Sequence, residues 1–296
     1  IAAWAAGQKT APRLVLASSQ DGISDQLADF CNQFLKLVPE ASIRKESDAA
    51  FRMPAIIIGR HANIAYQAVP GGKELSPFLE ALAPVQDRTS ELSPQIIDML
   101  GKLDLPLWLT VYIAPTCPHC PHVVRKLLLL ADANRHVRLT IVDAGLLAQQ
   151  AADHRIRSVP TTLMEDQYRW TGQIDLAEIV NMGVDRDPVR LSASSLRQML
   201  ESGEASRLAA LMIDRQTIFP GICELLVDER WSVRLGAMVA VEYLVEEAPA
   251  LAAELVAPLV TGFDKASVQA QGDAAYLLGL IRSPSALEHL RAVAAG

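Results

Sequence analysis

Apolar positions along the first hundred residues alternate between tight runs and helical spacings. RLVLA (13–17) reads as a strand, and ISDQLADFCNQFLKLV (23–38) carries apolar residues at the helical period. ASIRK (41–45) is a short strand, and PAIIIGR (54–60) a buried one that ends at Gly59. NIAYQAV (63–69) is its hairpin partner, and Gly71-Gly72 then breaks the chain. KELSPFLEALAPV (73–85) predicts a helix that stops near Pro84.

The same order returns in residues 94–185. PQIIDMLGKL (94–103) is helical, PLWLTVYIA (106–114) a strand, CPHVVRKLLLLADAN (120–134) a helix and VRLTIVDA (137–144) a strand. LLAQQAADHRI (146–156) is a helix, PTTLMED (160–166) and QYRWTG (167–172) pair as a hairpin, and DLAEIVNMG (175–183) closes the unit. A strand–helix–strand, hairpin, helix plan that occurs twice predicts a duplicated α/β unit.

From 190 onward every strand signal is lost. Short helices follow one another: LRQMLES, ASRLAALMID, FPGICELLVD, SVRLGAMVAVEYLVEE, LAAELVAPLVTGF, SVQAQGDAAYLLGLI and SALEHLRAVAA. SVRLGAMVAVEYL (232–244) and SVQAQGDAAYLLG (267–279) align at a spacing of 35, with Ala240 opposite Ala275, and 204–227 is a degenerate third unit. Helical pairs at this period resemble HEAT repeats, which stack into a solenoid. The boundary falls in DRDPVRLSAS (185–194), where Pro188 ends one helix and Ser192 caps the next. The expected domains are 1–100, 101–187 and 188–296.

Composition narrows the class of function. The 296 residues carry a net charge of −7 with no Lys/Arg stripe, which argues against nucleic acid as partner. No apolar run approaches the roughly 18 residues of a membrane span, so no membrane partner is expected. The four cysteines are too few and too scattered for a secreted disulfide scaffold. IAAWAAGQKT at the start lacks the basic and apolar regions of a signal peptide, and a cytoplasmic location is expected.

Two of those cysteines carry the chemistry. In YIAPTCPHCPHVV (112–124) the pair Cys117 and Cys120 lies between a strand and a helix. There the unpaired amides and the positive end of the helix dipole stabilise a thiolate, lowering a thiol pKa from about 8.5. Cys117, at the helix start, is expected to be the nucleophile, and Cys120, deeper in the helix, to resolve the mixed disulfide. Pro118 stiffens the turn, and a protonated His119 would favour the thiolate. The pair could instead be half a zinc site with His122 as third ligand, but no second pair supplies the fourth. About forty residues downstream, SVPTT (158–162) sets Val159-Pro160 at a strand entrance, where cis prolines occur. Cys31 and Cys223 lie in apolar helical contexts and are expected to pack. Trp108 and Tyr112 are expected in the core, and His154 and Lys126 at the surface.

On these residues the segment 104–185 resembles the thioredoxin/glutaredoxin family, with Pro160 as the cis-proline that borders the substrate groove. The duplicated arrangement over 13–185 resembles the N-terminal domain of the alkyl hydroperoxide reductase flavoproteins, AhpF. AYQAVPGGKEL (65–75), LSPQIIDMLGKLD (92–104), VDAGLLAQQAADHRIRSVPT (142–161) and DLAEIV (175–180) carry the likeness. The resemblance implies tandem α/β thioredoxin-like folds, the first without a CxxC (SQDGISD follows RLVLAS) and the second with CPHC, ahead of an all-α HEAT-like repeat. It implies that Glu74 approaches the disulfide from the first fold; a solvated surface Glu is the alternative. It also implies electron transfer from a flavin-dependent disulfide reductase to a peroxiredoxin or another disulfide protein. No GxGxxG occurs, so no cofactor beyond the redox-active disulfide is expected, and a reductase partner must supply electrons.

The expected function is a protein thiol–disulfide oxidoreductase, a dithiol carrier, with the helical repeat as a protein-docking module. Pro-His between the cysteines is shared with strongly oxidising DsbA-type proteins, which keeps a disulfide-introducing oxidant as an alternative. A redox-regulated interaction scaffold is the other.

Overall fold

The strand that leads into the two cysteines, Leu107–Ile113, is buried at every position. Such a run belongs inside a sheet covered on both faces. The computed structural model, which describes residues 1–8, 10–18, 22–46, 51, 53–83 and 89–295, places it there. The predicted helix end at Pro84 and Val85, and Ser19 to Asp21 of SQDGISD, lie outside the described residues.

The chain forms two compact units, Ile1–Asp185 and Arg186–Gly296. The first half of the first unit runs α1 (Ala2–Ala5), β1 (Arg13–Ala17), α2 (Gly22–Leu37), β2 (Ser42–Glu46), β3 (Ala55–Ile58), β4 (Ile64–Gln67) and α3 (Leu75–Leu82). The second half runs α4 (Pro94–Gly101), β5 (Leu107–Ile113), α5 (Cys120–Ala133), β6 (Val137–Asp143), α6 (Ala148–Asp153), β7 (Thr161–Met164), β8 (Tyr168–Thr171) and α7 (Leu176–Asp185).

Each repeat contributes four strands in the same arrangement. β1 lies parallel to β2 and antiparallel to β3, which turns back as β4; β5 lies parallel to β6 and antiparallel to β7, which turns back as β8. β4 then pairs parallel with β6, from Ile64 opposite Leu139 to Gln67 opposite Val142. The result is one eight-stranded sheet, β2-β1-β3-β4-β6-β5-β7-β8. The expected boundary at 100/101 therefore separates two sequence repeats that share one body. Asn63, buried just before β4, stitches them: its amide nitrogen donates to the carbonyls of Ala131 at 2.7 Å and Val137 at 2.9 Å.

Helices of both repeats build one core on a single face of the sheet. Leu27, Cys31 and Phe34 of α2 point inward at helical spacing and join Phe78, Leu109, Val111, Val124 and Leu127. α5 touches α3, α4 and α7 as well as β6, which explains why its apolar residues cover more than one stripe. On the other face Trp108 packs with Phe51 and Ile57, and Tyr112 with Val142, Ala151 and Leu163. Two surface expectations are corrected here. His154 is half-buried, its Nδ1 2.6 Å from the Tyr112 hydroxyl, and Lys126 donates to the Ile174 carbonyl at 3.1 Å. Both side chains are held because each meets a polar partner at the rim of the core.

The second unit is helical throughout its described residues: α8 (Ala193–Glu201), α9 (Ala205–Arg215), α10 (Pro220–Leu225), α11 (Trp231–Glu247), α12 (Pro249–Ala252), α13 (Val256–Phe263), α14 (Val268–Ile281) and α15 (Pro284–Ala295). Ser192 and Ser267 cap α8 and α14, their hydroxyls accepting from Ser195 N and Ala270 N. α11 is the central element and packs on α8, α9, α10, α12 and α14. Its buried residues Val233, Ala237, Ala240 and Val241 correspond to Ala270, Ala274, Leu277 and Leu278 of α14, a spacing of 37. The alignment at 35 paired Ala240 with Ala275, which is only half-buried. Two residues of offset matter because a helix turns about 200° over them.

Candidate active site

β5 delivers the chain to the top of the sheet, and a tight turn follows in which Cys117 N donates to Ala114 O at 3.0 Å. Cys120 is the first residue of α5, and Pro121 sits in its first turn, where a missing N–H costs nothing. The first amides of a helix lack partners within the helix. One of them, Cys120 N, donates to Cys117 Sγ at 3.1 Å. The two sulfurs form a disulfide with the Cα atoms 5.6 Å apart. Cys117 is 8% exposed and Cys120 fully buried, so an incoming group meets Cys117 first. Pro118 and His119 are both exposed beside it.

Val159-Pro160 is a cis peptide, and the Val159 carbonyl oxygen lies 3.8 Å from Cys117 Sγ. Pro160 is buried at the entrance of β7, and its carbonyl accepts from Gly172 N at 2.9 Å. Thus residues separated by about forty positions in the sequence border one small opening.

Glu74 comes from the first repeat, in the 3-10 turn Gly72–Glu74 that packs on α5. It is 1% exposed, and neither carboxylate oxygen has a hydrogen-bond partner among the described residues. Burial pushes its pKa from 4.5 up to about 7, opposed by the positive charge of Arg125. Arg125 itself is held by Glu80, at 2.7 Å from Nε to Oε2, and by the Ser76 hydroxyl. The same loop meets the active turn: a Cβ on Gly72, whose φ is +54°, would stand 3.4 Å from Pro115 O. A solvated surface role for Glu74 is therefore overturned.

The other cysteines differ in kind. Cys31 is buried and its thiol is pushed up to about 11 by desolvation, against a small opposing effect of Lys45. Cys223 is half-buried, and its pKa is raised by burial and by Glu224. His122 is exposed, and among the described residues no three His, Cys, Asp or Glu side chains are placed to hold a metal ion. The sequence reading missed a groove beside the disulfide, lined by Arg155, Arg157, Ser158, Thr161, Arg169 and Thr171. Its signal was the HRIR run before SVPTT, which only gains meaning once β8 brings Arg169 alongside.

A strand–helix–strand–hairpin unit with a Cys-x-x-Cys disulfide at its first helix, facing a cis proline, defines a thioredoxin-like domain. Residues 108–182 match the family model described as Thioredoxin domain. The chain as a whole is similar to AhpF, the alkyl hydroperoxide reductase protein, of Pseudomonas putida, at 25% identity over 261 residues and 83% of this chain. It is 24% identical to AhpF of Xanthomonas campestris pv. phaseoli over 260 residues and 21% identical to AhpF of Escherichia coli over 224. The chain spans about half the length of the curated relatives it matches, 49% of the Pseudomonas putida protein. Two solved structures share the fold. The NTD_N/C domain of AhpF from Enterococcus faecalis superposes with a TM-score of 0.50 at 21% identity, covering 61% of this chain and 94% of that one. A protein disulfide oxidoreductase from Aeropyrum pernix superposes with a TM-score of 0.52 at 17% identity, covering 65% and 93%.

Proposed function

We propose that this protein is a thiol–disulfide oxidoreductase, a dithiol carrier that moves two electrons between protein disulfides. The observation that carries the reading is the disulfide at the N-terminus of α5, with Cys117 at the opening and Cys120 behind it. In the reducing direction Cys117 thiolate attacks one sulfur of a target disulfide. A mixed disulfide forms and the first target thiolate leaves. Cys120, deprotonated, then attacks Cys117 Sγ, releasing the second target thiol and restoring the disulfide seen here. The helix-start amide on Cys117 Sγ supports the thiolate in both directions. Glu74, buried and titrating near neutrality on the turn against α5, is suited to exchange a proton with the site.

The electron donor is proposed to be a flavin-dependent disulfide reductase and the acceptor a peroxiredoxin or another disulfide protein, in keeping with the similarity to AhpF. The HEAT-like helical unit is proposed to dock a protein partner, since stacked helices offer an extended surface that the redox chemistry does not need. Cys117, Cys120, Pro118, His119, Val159, Pro160 and Glu74 are the proposed site residues.

The exposed Pro118-His119 pair favours one second reading, a DsbA-like oxidant that introduces disulfides. Equilibration with glutathione buffers, followed by mass spectrometry of the Cys117–Cys120 peptide, separates the two. A potential near −270 mV, about that of thioredoxin, supports the reducing carrier, and one near −120 mV, about that of DsbA, the oxidant. Absence of any exchange with a protein disulfide would sink both.

A further inference from the structure

The groove that opens beside the disulfide has a volume of about 430 Å³ and is lined by three arginines and three hydroxyl side chains. Its position is set by covalent continuity: Ser158 lines it, and the next residue, Val159, holds its carbonyl 3.8 Å from Cys117 Sγ. A substrate sulfur seated on Cys117 therefore brings its neighbouring residues to this groove.

The arginines are arranged rather than scattered. Arg169, reaching from β8, donates through Nη1 to the carbonyl of Arg155 at 3.0 Å and through Nη2 to that of His154. This brace spends the donors of Arg169 on backbone and holds the loop that carries Arg155 and Arg157. Arg155 sits at a φ of +53°, a conformation few non-glycine residues adopt. Both Arg155 and Arg157 are exposed, and neither guanidinium has a carboxylate partner among the described residues. Elsewhere the chain pairs its arginines freely: Arg44, Arg125, Arg197, Arg207, Arg230 and Arg234 all meet carboxylates. Unpaired cations in an acidic protein of net charge −7 are the exception, and here they cluster at the mouth of the site.

We infer that the groove recognises an acidic segment of a protein partner, with Asp or Glu side chains flanking the cysteine that exchanges with Cys117. Carboxylates match the planar forks of Arg155 and Arg157, and Ser158 and Thr171 can add hydroxyl donors. Complementary charge of this kind raises encounter rates and sets the register of the incoming chain more than it deepens affinity. The inference names the substrate class of the site described above and rests on the oxidoreductase reading.

The test uses the full chain, pre-reduced with dithiothreitol and freed of it, in single turnover. Three disulfide-linked hexapeptide dimers, identical except for Asp, Ser or Lys beside the half-cystine, are the oxidants, and released peptide thiol is counted. Each rate is divided by the rate of the same peptide with dithiothreitol, which removes the effect of flanking charge on sulfur reactivity. The Asp peptide should react about 5-fold faster than the Ser peptide at low salt and the Lys peptide slower, with the spread collapsing at about 0.5 M salt. Arg155→Gln/Arg157→Gln should erase the spread while leaving the Ser peptide rate unchanged. Equal rates for the three peptides in the parent protein would overturn the acidic-segment inference alone. Failure to reduce even the Ser peptide would remove the oxidoreductase reading and this inference with it.

Discussion

Asn63 of the first repeat and Ala131 of the second are joined by a 2.7 Å hydrogen bond, side-chain amide to backbone carbonyl. The same nitrogen serves Val137 O, and Asn63 O accepts from Leu139 N at 2.9 Å. Asn63→Ala leaves two carbonyls unmet in a site that is 1% exposed. The expected loss is about 2–4 kcal/mol, read as a lower urea midpoint. A loss under about 0.5 kcal/mol would mean that the junction holds without this stitch.

Cys117 should be the fastest thiol to alkylate in the reduced protein. Cys120 and Cys31 are buried, and Cys223 is held protonated by burial and Glu224. Cys117→Ser should abolish reduction of a protein disulfide, and Cys120→Ser should accumulate mixed disulfides. Peptide mapping after brief iodoacetamide treatment decides it. Preferential labelling of Cys120 would reverse the assigned roles.

Glu74 makes stability depend on pH in a predictable direction. Its folded pKa, about 7, exceeds the ordinary 4.5, so between these values the folded state keeps a proton that the unfolded state has lost. Stability therefore falls as pH rises through this window and levels off above it, by a total of about 2–3 kcal/mol. Glu74→Gln should remove that slope, gaining on the parent at pH 8 but not at pH 4.5. Parallel stability curves for the two proteins would show that Glu74 titrates as an ordinary carboxylate.

Arg234 anchors the helical unit from α11. It is 1% exposed, with Nε 2.7 Å from Asp273 and Nη1 donating to the carbonyls of Asp228 and Glu229. Arg234→Ala strands all three acceptors and should cost about 3–5 kcal/mol in the helical unit's unfolding transition. Arg234→Lys should recover only part, because an ammonium cannot serve Asp273 and the two carbonyls in the same geometry. Full recovery by Lys would mean that charge alone suffices.

Removal of 186–296 separates docking from chemistry. The first unit holds the whole sheet and both cysteines, so a 1–185 fragment should turn over a small disulfide at close to the full-length rate. With a peroxiredoxin partner the apparent KM should rise about 10-fold or more through lost tethering. Side-by-side kinetics read this, and equal losses on both substrates would refute the docking role.

Much of this was legible in the sequence, because local chemistry settles local structure. A Cys-x-x-Cys between an apolar run and a helical pattern, with SVPTT downstream, located the disulfide and its cis-proline neighbour. The fused sheet was less legible, since hydrogen-bond pairing between β4 and β6 leaves no mark in side-chain spacing. The only trace is that IAYQ is buried at every position, which an edge strand would not tolerate. Burial of Glu74 was hidden because GGKEL reads as a polar turn, and only the approach of α5 encloses it. The helical repeat was misregistered by two residues because small side chains look alike, whereas packing distinguishes Ala274 from Ala275.

The β4–β6 seam has a consequence for how the site is reached. A lone second repeat would offer two open strand edges, β6 and β8; the seam closes the first along its length. What stays open beside the disulfide is the β8 side, where Arg169 and the cis-proline loop lie. Any donor and any acceptor of electrons would then have to take turns at one berth. Kinetics with two such partners should be ping-pong, with each protein at high concentration acting as a competitive inhibitor of the other.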